Sequence, residues 1–125
     1  MIRYLIDADC AIYAMVDADA AVTRRIAATD AGTIGISAIS FAEIALGSNL
    51  GRPPPADLLK AFVDAIPIVD FDAAAAMAYA ALPFRRARFD RLLAAHALSI
   101  GAIVVTNNEA DFADVPGLMI ENWTL

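Results

Sequence analysis

The feature that most constrains the fold is the alternation of short, β-branched apolar runs with longer segments of helical spacing. This order is typical of α/β proteins with a parallel sheet, because parallel strands need a crossover, usually helical, between them. The predicted strands cover 3–6, 33–36, 66–69, 102–105 and 119–121. The predicted helices cover 9–29 with a break near 17–19, then 39–47, 57–65, 72–82 and 91–100, and helical turns cover 108–113.

Length and hydropathy limit the class of protein further. A chain of 125 residues fits one domain, so we expect residues 1–125 to form a single unit. The longest apolar run, 73–82, has half of the ~20 residues that cross a bilayer. Asp7 and Asp9 interrupt the apolar N-terminal stretch, which argues against a secretory signal. We therefore expect a cytoplasmic protein that does not bind membranes.

The charge balance gives no global basic surface for nucleic acid, since the net charge is −6. Four of the nine basic residues nevertheless lie within one short segment: Arg85, Arg86, Arg88 and Arg91. This segment is either a local patch that attracts phosphate or a solvated helix junction, and composition does not decide between the two.

The single cysteine and the single histidine are both interpreted as packing residues. Cys10 alone excludes an intrachain disulfide and a cysteine-cluster metal site. His96 continues an apolar stripe at helical spacing, which favours a packed ring over a catalytic base.

Acids and amides follow the predicted strands at positions where α/β sheets bind ligands, beyond the carboxyl ends of the strands. These polar residues are Asp7, Asp9, Glu43, Asp90, Thr106, Asn107, Asn108 and Asp111. Several converging carboxylates repel each other unless a cation neutralises them, and oxygen ligands suit Mg²⁺ or Mn²⁺. The pattern therefore predicts a metal site.

Each acid also has a structural interpretation. Asp7 could cap the first helix, and Asp9 is an equally good N-cap. We interpret Asp9 as the cap and Asp7, which ends a buried strand, as functional. Glu43 either completes a capping box with Ser40 or, if the helix starts at Ser37, lies about two turns inside it.

Two further positions stay open in the same way. Asp90 suits the first turn of a helix, where the macrodipole favours an acid. Asn107, Asn108 and Asp111 could form a turn and a cap as easily as the edge of a metal site.

Taken together, these segments resemble the PIN-domain ribonucleases of the VapC toxin type. The matching blocks follow the family's order: Leu5–Asp7 with Tyr13–Ala14, Ile36–Gly47, Asp90–Leu98 followed by Gly101, and Val105–Phe112 running into Val115–Leu118 and Glu121–Trp123. The resemblance implies a PIN-like three-layer α/β/α fold around a parallel sheet of about four to five strands.

The resemblance also implies a function, that of a magnesium-dependent endoribonuclease in which Mn²⁺ can substitute. Asp7, Glu43 and Asp90 match the family's acidic metal-binding triad, and Asp111 is our candidate for the fourth catalytic acid. The family often has an acid where this chain has Asn108. We expect Asn108, Thr106 and Asp9 to support the metal or its water.

The implied partners are an RNA substrate and a small antitoxin of the VapB type. The family suggests a homodimer that joins the antitoxin in a heterotetramer or a larger assembly. The segment before the third acid is shorter and more basic than usual, so we interpret Arg85, Arg86 and Arg88 as RNA contacts.

Two other interpretations remain open at this point. Asp7-Ala8-Asp9 also matches the Asp-x-Asp motif of haloacid-dehalogenase-type phosphatases, which would make Asp7 a nucleophile and need a lysine such as Lys60. Alternatively, Ala8 and Asp9 depart from the usual PIN start, and the chain could be a PIN-like module that binds proteins without catalysis.

Overall fold

The architecture is a five-stranded parallel sheet between layers of helices, as expected. A computed structural model describes residues 1–30, 32–83 and 88–125. The strands are β1 (Tyr4–Ile6), β2 (Ile34–Ser37), β3 (Ile68–Val69), β4 (Ile103–Val105) and β5 (Ile120–Glu121). They are arranged in the order β3-β2-β1-β4-β5, and every pairing is parallel. The first strand of the chain therefore lies at the centre of the sheet.

Six helices connect these strands, each close to its predicted position. They are α1 (Ala8–Val16), α2 (Ala21–Ala27), α3 (Ala38–Asn49), α4 (Ala56–Ala65), α5 (Ala73–Ala80) and α6 (Arg88–Ile100). A 3₁₀ turn at Glu109–Asp111 accounts for the helical turns expected there. None of the described helices is long and apolar enough to span a membrane.

Two apolar cores lie on opposite faces of the sheet. Ile6 belongs to a core that includes residues of α1 to α4, whereas its neighbour Leu5 packs with Leu93 and Ala97 of α6. Adjacent strand residues point to opposite faces, so a fully apolar β1 supplies both cores at once. Continuous apolar strands are therefore what this three-layer arrangement requires.

Close packing between β2 and β3 depends on Gly35. A Cβ atom at this position would lie 2.7 Å from Cγ2 of Val69 and 3.3 Å from the Pro67 carbonyl oxygen. β2 pairs with β3 from Ile36 onward. Because Gly35 has no side chain, the residues that lead into β3 can lie close to β2.

The predicted end of α3 at Gly47 is wrong. The helix continues to Asn49, and Gly51 follows with φ +83°, a conformation that favours glycine. Gly47 has ordinary helical surroundings, so the later glycine ends the helix. Asp72 is the N-cap of α5, since its carboxylate accepts a hydrogen bond from Ala75 N at 3.0 Å.

Candidate active site

The polar residues converge where the strand order reverses. From β1 the chain moves to β2 on one side, whereas β4 lies on the other side of β1. Such a reversal leaves a crevice at the carboxyl ends of the two strands, where α/β proteins bind ligands. Asp7 follows β1 directly, and Thr106 follows β4. The crevice is therefore lined from its base by these two residues.

Asp7 is held rigidly at the start of α1. Its backbone N–H donates to Val105 O at 2.9 Å, and its carboxylate Oδ1 accepts from Cys10 N at 2.8 Å. Burial raises the pKa of this carboxyl, and a hydrogen bond from the Thr106 side chain opposes the shift. Asp7, not Asp9, is thus the N-cap of α1, and our interpretation of Asp9 as the cap is wrong.

Glu43 reaches the crevice from the interior of α3. The helix begins at Ser37, whose hydroxyl accepts from Ile39 N at 3.1 Å, so the capping box between Ser40 and Glu43 does not form. Desolvation at the pocket, followed by repulsion from Asp90 and the other acids, raises the pKa of Glu43 to about 7.

Asp90 enters from the first turn of α6. Burial, followed by repulsion from Asp111 and Asp7, raises its pKa to about 6, and a hydrogen bond with Asp111 acts in the same direction. A carboxyl whose pKa is raised by burial and by neighbouring acids is typical of a functional site.

These residues enclose a small polar cavity of about 50 Å³. It is lined by Asp7, Ala8, Asp9, Glu43, Asp90, Leu93 and Asn108. Asp111 lies beside it, because the Asn108 amide donates to Asp111 Oδ2 at 2.6 Å. Thr106 is buried beneath it, with its hydroxyl accepting from Asn108 N at 2.9 Å. The structure thus brings together all four predicted acids and their three predicted supporting residues.

The donor chemistry of the cavity fits a divalent cation. Its polar side chains are carboxylates and one amide, the oxygen ligands that Mg²⁺ and Mn²⁺ prefer. In the described part of the chain, no three Asp, Glu, His or Cys side chains are grouped closely enough to hold an ion together. Repulsion among the carboxylates disfavours closer grouping without a cation, so binding would require these side chains to move closer together.

A buried hydrogen bond joins Ser37, the N-cap of α3, to His96 of α6. Glu43 lies on α3 and Asp90 on α6. Ser37 Oγ and His96 Nδ1 are 2.7 Å apart, and both residues are buried. Since the Ser37 hydroxyl already accepts from Ile39 N, its hydrogen is free to point at the ring. Burial lowers the pKa of His96, which favours the neutral ring that can accept.

The packing interpretation of His96 is thereby confirmed, but sequence analysis missed its partner. The two residues are separated by 59 positions, and no local motif marks a bond between them. Cys10 is also buried, as expected, and desolvation raises the pKa of its thiol.

Arg88 and Arg91, two arginines of the basic segment, differ in their exposure to solvent. Arg88 is exposed at the start of α6, whereas Arg91 is buried and pairs with Asp114 at 3.5 Å. Arg91 therefore does not belong to an exposed basic patch. Arg85 and Arg86 lie outside the described residues.

Lys60 does not approach the acids. It is exposed on α4, where its ammonium is 3.2 Å from Asp64 Oδ2. The lysine that a phosphatase of the haloacid-dehalogenase type would need is therefore not at the cavity.

Comparison with known proteins agrees with this geometry. The family model of the PIN domain matches residues 4–118. The chain belongs to the PIN domain family. It is 32% identical to a tRNA(fMet)-specific endonuclease VapC from Shigella flexneri, over 99% of this chain and 100% of that protein.

Solved PIN-domain structures superimpose along nearly the whole chain. The VapBC2 complex from Rickettsia felis, bound to a promoter DNA fragment, contains a chain with a TM-score of 0.82 and 27% identity, covering 98% of this chain and 99% of that chain. The DNA-bound VapBC from Salmonella typhimurium gives a TM-score of 0.84 and 25% identity, covering 98% and 99%. The expected PIN-like three-layer fold is confirmed.

Proposed function

We propose that this PIN domain is a metal-dependent endoribonuclease, the toxin of a VapBC-type toxin–antitoxin module. The observation that carries the proposal is the convergence of Asp7, Glu43 and Asp90, from β1, α3 and α6, on one cavity at the reversal of strand order. The names of the VapC relatives, endonuclease and ribonuclease, support the class of reaction.

In this proposal, Asp7, Glu43 and Asp90 hold Mg²⁺, for which Mn²⁺ can substitute, and Asp111 is the fourth catalytic acid. The ion would lower the pKa of a coordinated water and offset the charge that builds up on the phosphodiester. Thr106 holds the Asp7 carboxylate, while Asn108 and Asp9 border the cavity and orient the groups around the ion.

Protonation of the acids is coupled to metal binding. The pKa values of Glu43 and Asp90, about 7 and about 6, leave both carboxyls partly protonated near neutral pH. Ligands must be deprotonated, so metal binding releases protons and is weaker at acidic pH.

The proposed partners follow from the relatives and from the surface. Solved relatives are VapBC complexes, which supports a VapB-type antitoxin as the partner. Leu46 and Leu50 at the end of α3 and Met77 of α5 are exposed apolar side chains, which suit a homodimer and larger assemblies with antitoxin. We propose that residues 1–125 act as one PIN domain in the cytoplasm, with Arg88, Arg85 and Arg86 contacting RNA phosphates.

The decisive experiment is cleavage of total RNA by the purified, antitoxin-free chain, with Mg²⁺ or Mn²⁺ and with chelator. We expect discrete fragments only with metal, and a rate at least about 100-fold lower for Asp90→Asn because charge stabilisation at the phosphate is lost. Asp64→Asn is the matched control, since it removes an exposed carboxylate that pairs with Lys60 on α4.

Calorimetric titration with Mn²⁺ distinguishes the enzyme from a module that only binds protein. We expect one saturable site that weakens in Asp90→Asn and is unchanged in Asp64→Asn. A folded chain that neither cleaves RNA nor binds Mn²⁺ would contradict the proposed function.

A further inference from the structure

A second, larger cavity adjoins the acidic one. It measures about 300 Å³ and is lined by Tyr13, Val16, Asp17, Ala20, Ala21, Val22, Asn107 and Thr124. We call it the Tyr13 cleft. Val22 forms its buried floor, whereas Tyr13 and Val16 are partly exposed above it. The volume falls at the lower end of the ~300–1,000 Å³ range of small-molecule pockets.

The Tyr13 cleft and the acidic cavity are lined by nearby residues of the same two segments, α1 and the residues after β4. Asp9 lines the acidic cavity, and Tyr13, four residues later on α1, lines the cleft. Residues four apart on a helix are neighbours on one face. On the opposite side, Asn107 lines the cleft and Asn108 lines the acidic cavity. A group in the cleft therefore lies about one helical turn from Asp9, at the border of the acidic cavity.

Tyr13 and Asn107 approach each other across the cleft. The Asn107 amide nitrogen is 3.5 Å from the Tyr13 hydroxyl, at the outer limit of a hydrogen bond. The two side chains thus form a weak contact between α1 and the segment after β4, and Tyr13 remains 40% exposed.

The charge of the Tyr13 cleft selects for an uncharged aromatic group. Among the described residues that line it, Asp17 carries the only charge, so the cleft repels a phosphate. Asp17 Oδ1 accepts from Asp19 N at 2.9 Å, which leaves its other oxygen free to accept. Adenine, cytosine and guanine each carry an amino group that can donate to a carboxylate, whereas uracil has none.

We propose that the Tyr13 cleft binds a base of the RNA substrate, one that flanks the scissile phosphate. The base stacks on Tyr13 and Val16, and its amino edge faces Asp17. Aromatic stacking of splayed-out bases is the usual way in which proteins recognise single-stranded RNA. The proposal rests on the ribonuclease function and adds a determinant of where the chain cuts.

The first test compares cleavage of total transfer RNA by the wild type, Tyr13→Phe and Tyr13→Ala. We expect Tyr13→Ala to raise KM by about 5- to 150-fold, the size of one lost stacking contact, and to spread the cleavage positions. Tyr13→Phe keeps the ring and should stay within about threefold of the wild type. Leu58→Ala is the control, because Leu58 is also 40% exposed but lies on α4, outside both cavities.

The second test locates the base. Oligonucleotides that span the strongest cleavage site are made with the base removed on either side of the cut, and binding is measured with the non-cleaving Asp90→Asn chain. Removing the base that occupies the cleft should weaken RNA binding by the Asp90→Asn chain, which keeps Tyr13. It should not weaken RNA binding by the double variant Tyr13→Ala/Asp90→Asn. Asp17→Asn should reduce any preference for adenine, cytosine or guanine over uracil at that position.

The outcomes separate this proposal from the ribonuclease function itself. Cleavage by the wild type with KM and cut sites unchanged in Tyr13→Ala would overturn the base site and leave the nuclease standing. Loss of antitoxin binding alone in Tyr13→Ala would overturn it as well, in favour of a protein segment in the cleft. Absence of cleavage by the wild type would instead contradict the function.

Discussion

At the residue scale, one carboxylate serves two roles that its sequence presents as alternatives. Asp7 caps α1 through Cys10 N and also lines the acidic cavity with Glu43 and Asp90. A cap needs one carboxylate oxygen, and the other stays available to the cavity. The capping hydrogen bond therefore holds the proposed metal ligand in place. Metal binding would cost little further side-chain entropy at Asp7.

The raised pKa values predict how the metal-free chain responds to pH. Glu43 and Asp90 bind protons more tightly in the folded chain than in the unfolded chain, where their pKa values are near 4.5 and 3.8. Their contribution to stability is therefore greatest at acidic pH and falls as the pH rises from about 4 to about 7. In chelator at pH 8, Glu43→Gln should melt at a higher temperature than the wild type.

The same variant should show no gain in Tm at pH 4, where Glu43 is protonated. In saturating Mg²⁺ the order should reverse, because the wild type gains more binding free energy than the variant. Asp64→Asn serves as control, with a small Tm change that is the same at both pH values. An equal Tm difference for Glu43→Gln at pH 4 and pH 8 would contradict the electrostatic argument.

The convergence of the candidate acids could be predicted from the sequence, but their geometry could not. Their places near the ends of predicted strands and helices, together with the family resemblance, selected Asp7, Glu43, Asp90 and Asp111 as candidates. The sequence prediction gave the N-cap of α1 to Asp9, whereas the structure gives it to Asp7. Aspartates are good caps, and these two lie only two positions apart. The bond from Ser37 to His96 follows from packing between α3 and α6, which no local pattern encodes.

At the scale of elements, helix ends decide which groups face the cavity. The carboxylate of Asp7 both caps α1 and carries charge, and amide substitution separates the two effects. Asp7→Asn keeps a capping oxygen, whereas Asp7→Ala removes it. We expect the free energy of unfolding of Asp7→Ala to be about 1 kcal/mol lower than that of Asp7→Asn, measured by urea denaturation. Both variants should lose metal-dependent cleavage.

Asp72 offers the matched control for that comparison. It caps α5 with the same bond, from Ala75 N at 3.0 Å, but it lies outside the acidic cavity. Asp72→Ala should lose a similar free energy of unfolding and cleave RNA at the wild-type rate in conditions where it is folded. If Asp72→Ala also loses cleavage, stability and not metal binding explains the effect at Asp7.

The close approach of β2 and β3 gives a prediction for the edge of the sheet. Gly35→Ala places a methyl group 2.7 Å from Cγ2 of Val69, so we expect a loss of about 1–3 kcal/mol in the free energy of unfolding. Val69→Ala in the same chain should restore part of that loss by making room. Chemical denaturation of the two single variants and the double variant measures the coupling. Additive losses would rule out the steric explanation.

Most elements could be predicted because each apolar run has a length and spacing that favours one structure. The strands of this sheet are buried runs and the helices are longer, so the type of element was rarely ambiguous. Their ends were less accurate, as Gly47 shows, because a glycine ends a helix only where the chain adopts a positive φ.

At the scale of the whole molecule, the chain's last residues complete the core beside its first strand. Trp123 is buried with its ring 5.0 Å from Tyr4, and its indole nitrogen donates to Glu121 Oε1 at 2.8 Å. Arg25 of α2 lies over the same ring, 5.1 Å from its centre. The C-terminal segment thus joins α2 to the central strand.

Trp123→Ala should therefore destabilise the entire fold. We expect a loss of about 3–5 kcal/mol in the free energy of unfolding, as for other buried tryptophans. Leu125→Ala, at a position 93% exposed, should change it by less than about 0.5 kcal/mol. Urea denaturation followed by circular dichroism measures both, and a small loss in Trp123→Ala would show that α2 and β1 are held together without the indole.

The central position of β1 has a consequence during translation. Its neighbour β4 comes from the last quarter of the chain, and Asp7 receives its backbone partner Val105 and its side-chain partner Thr106 only from there. A nascent chain that ends before β4 can form α1 to α4 but cannot close the crevice. Non-local pairing of this kind forms late in folding. The acidic cavity of a nascent chain therefore lacks the contacts that hold Asp7 until β4 and Thr106 have been synthesised.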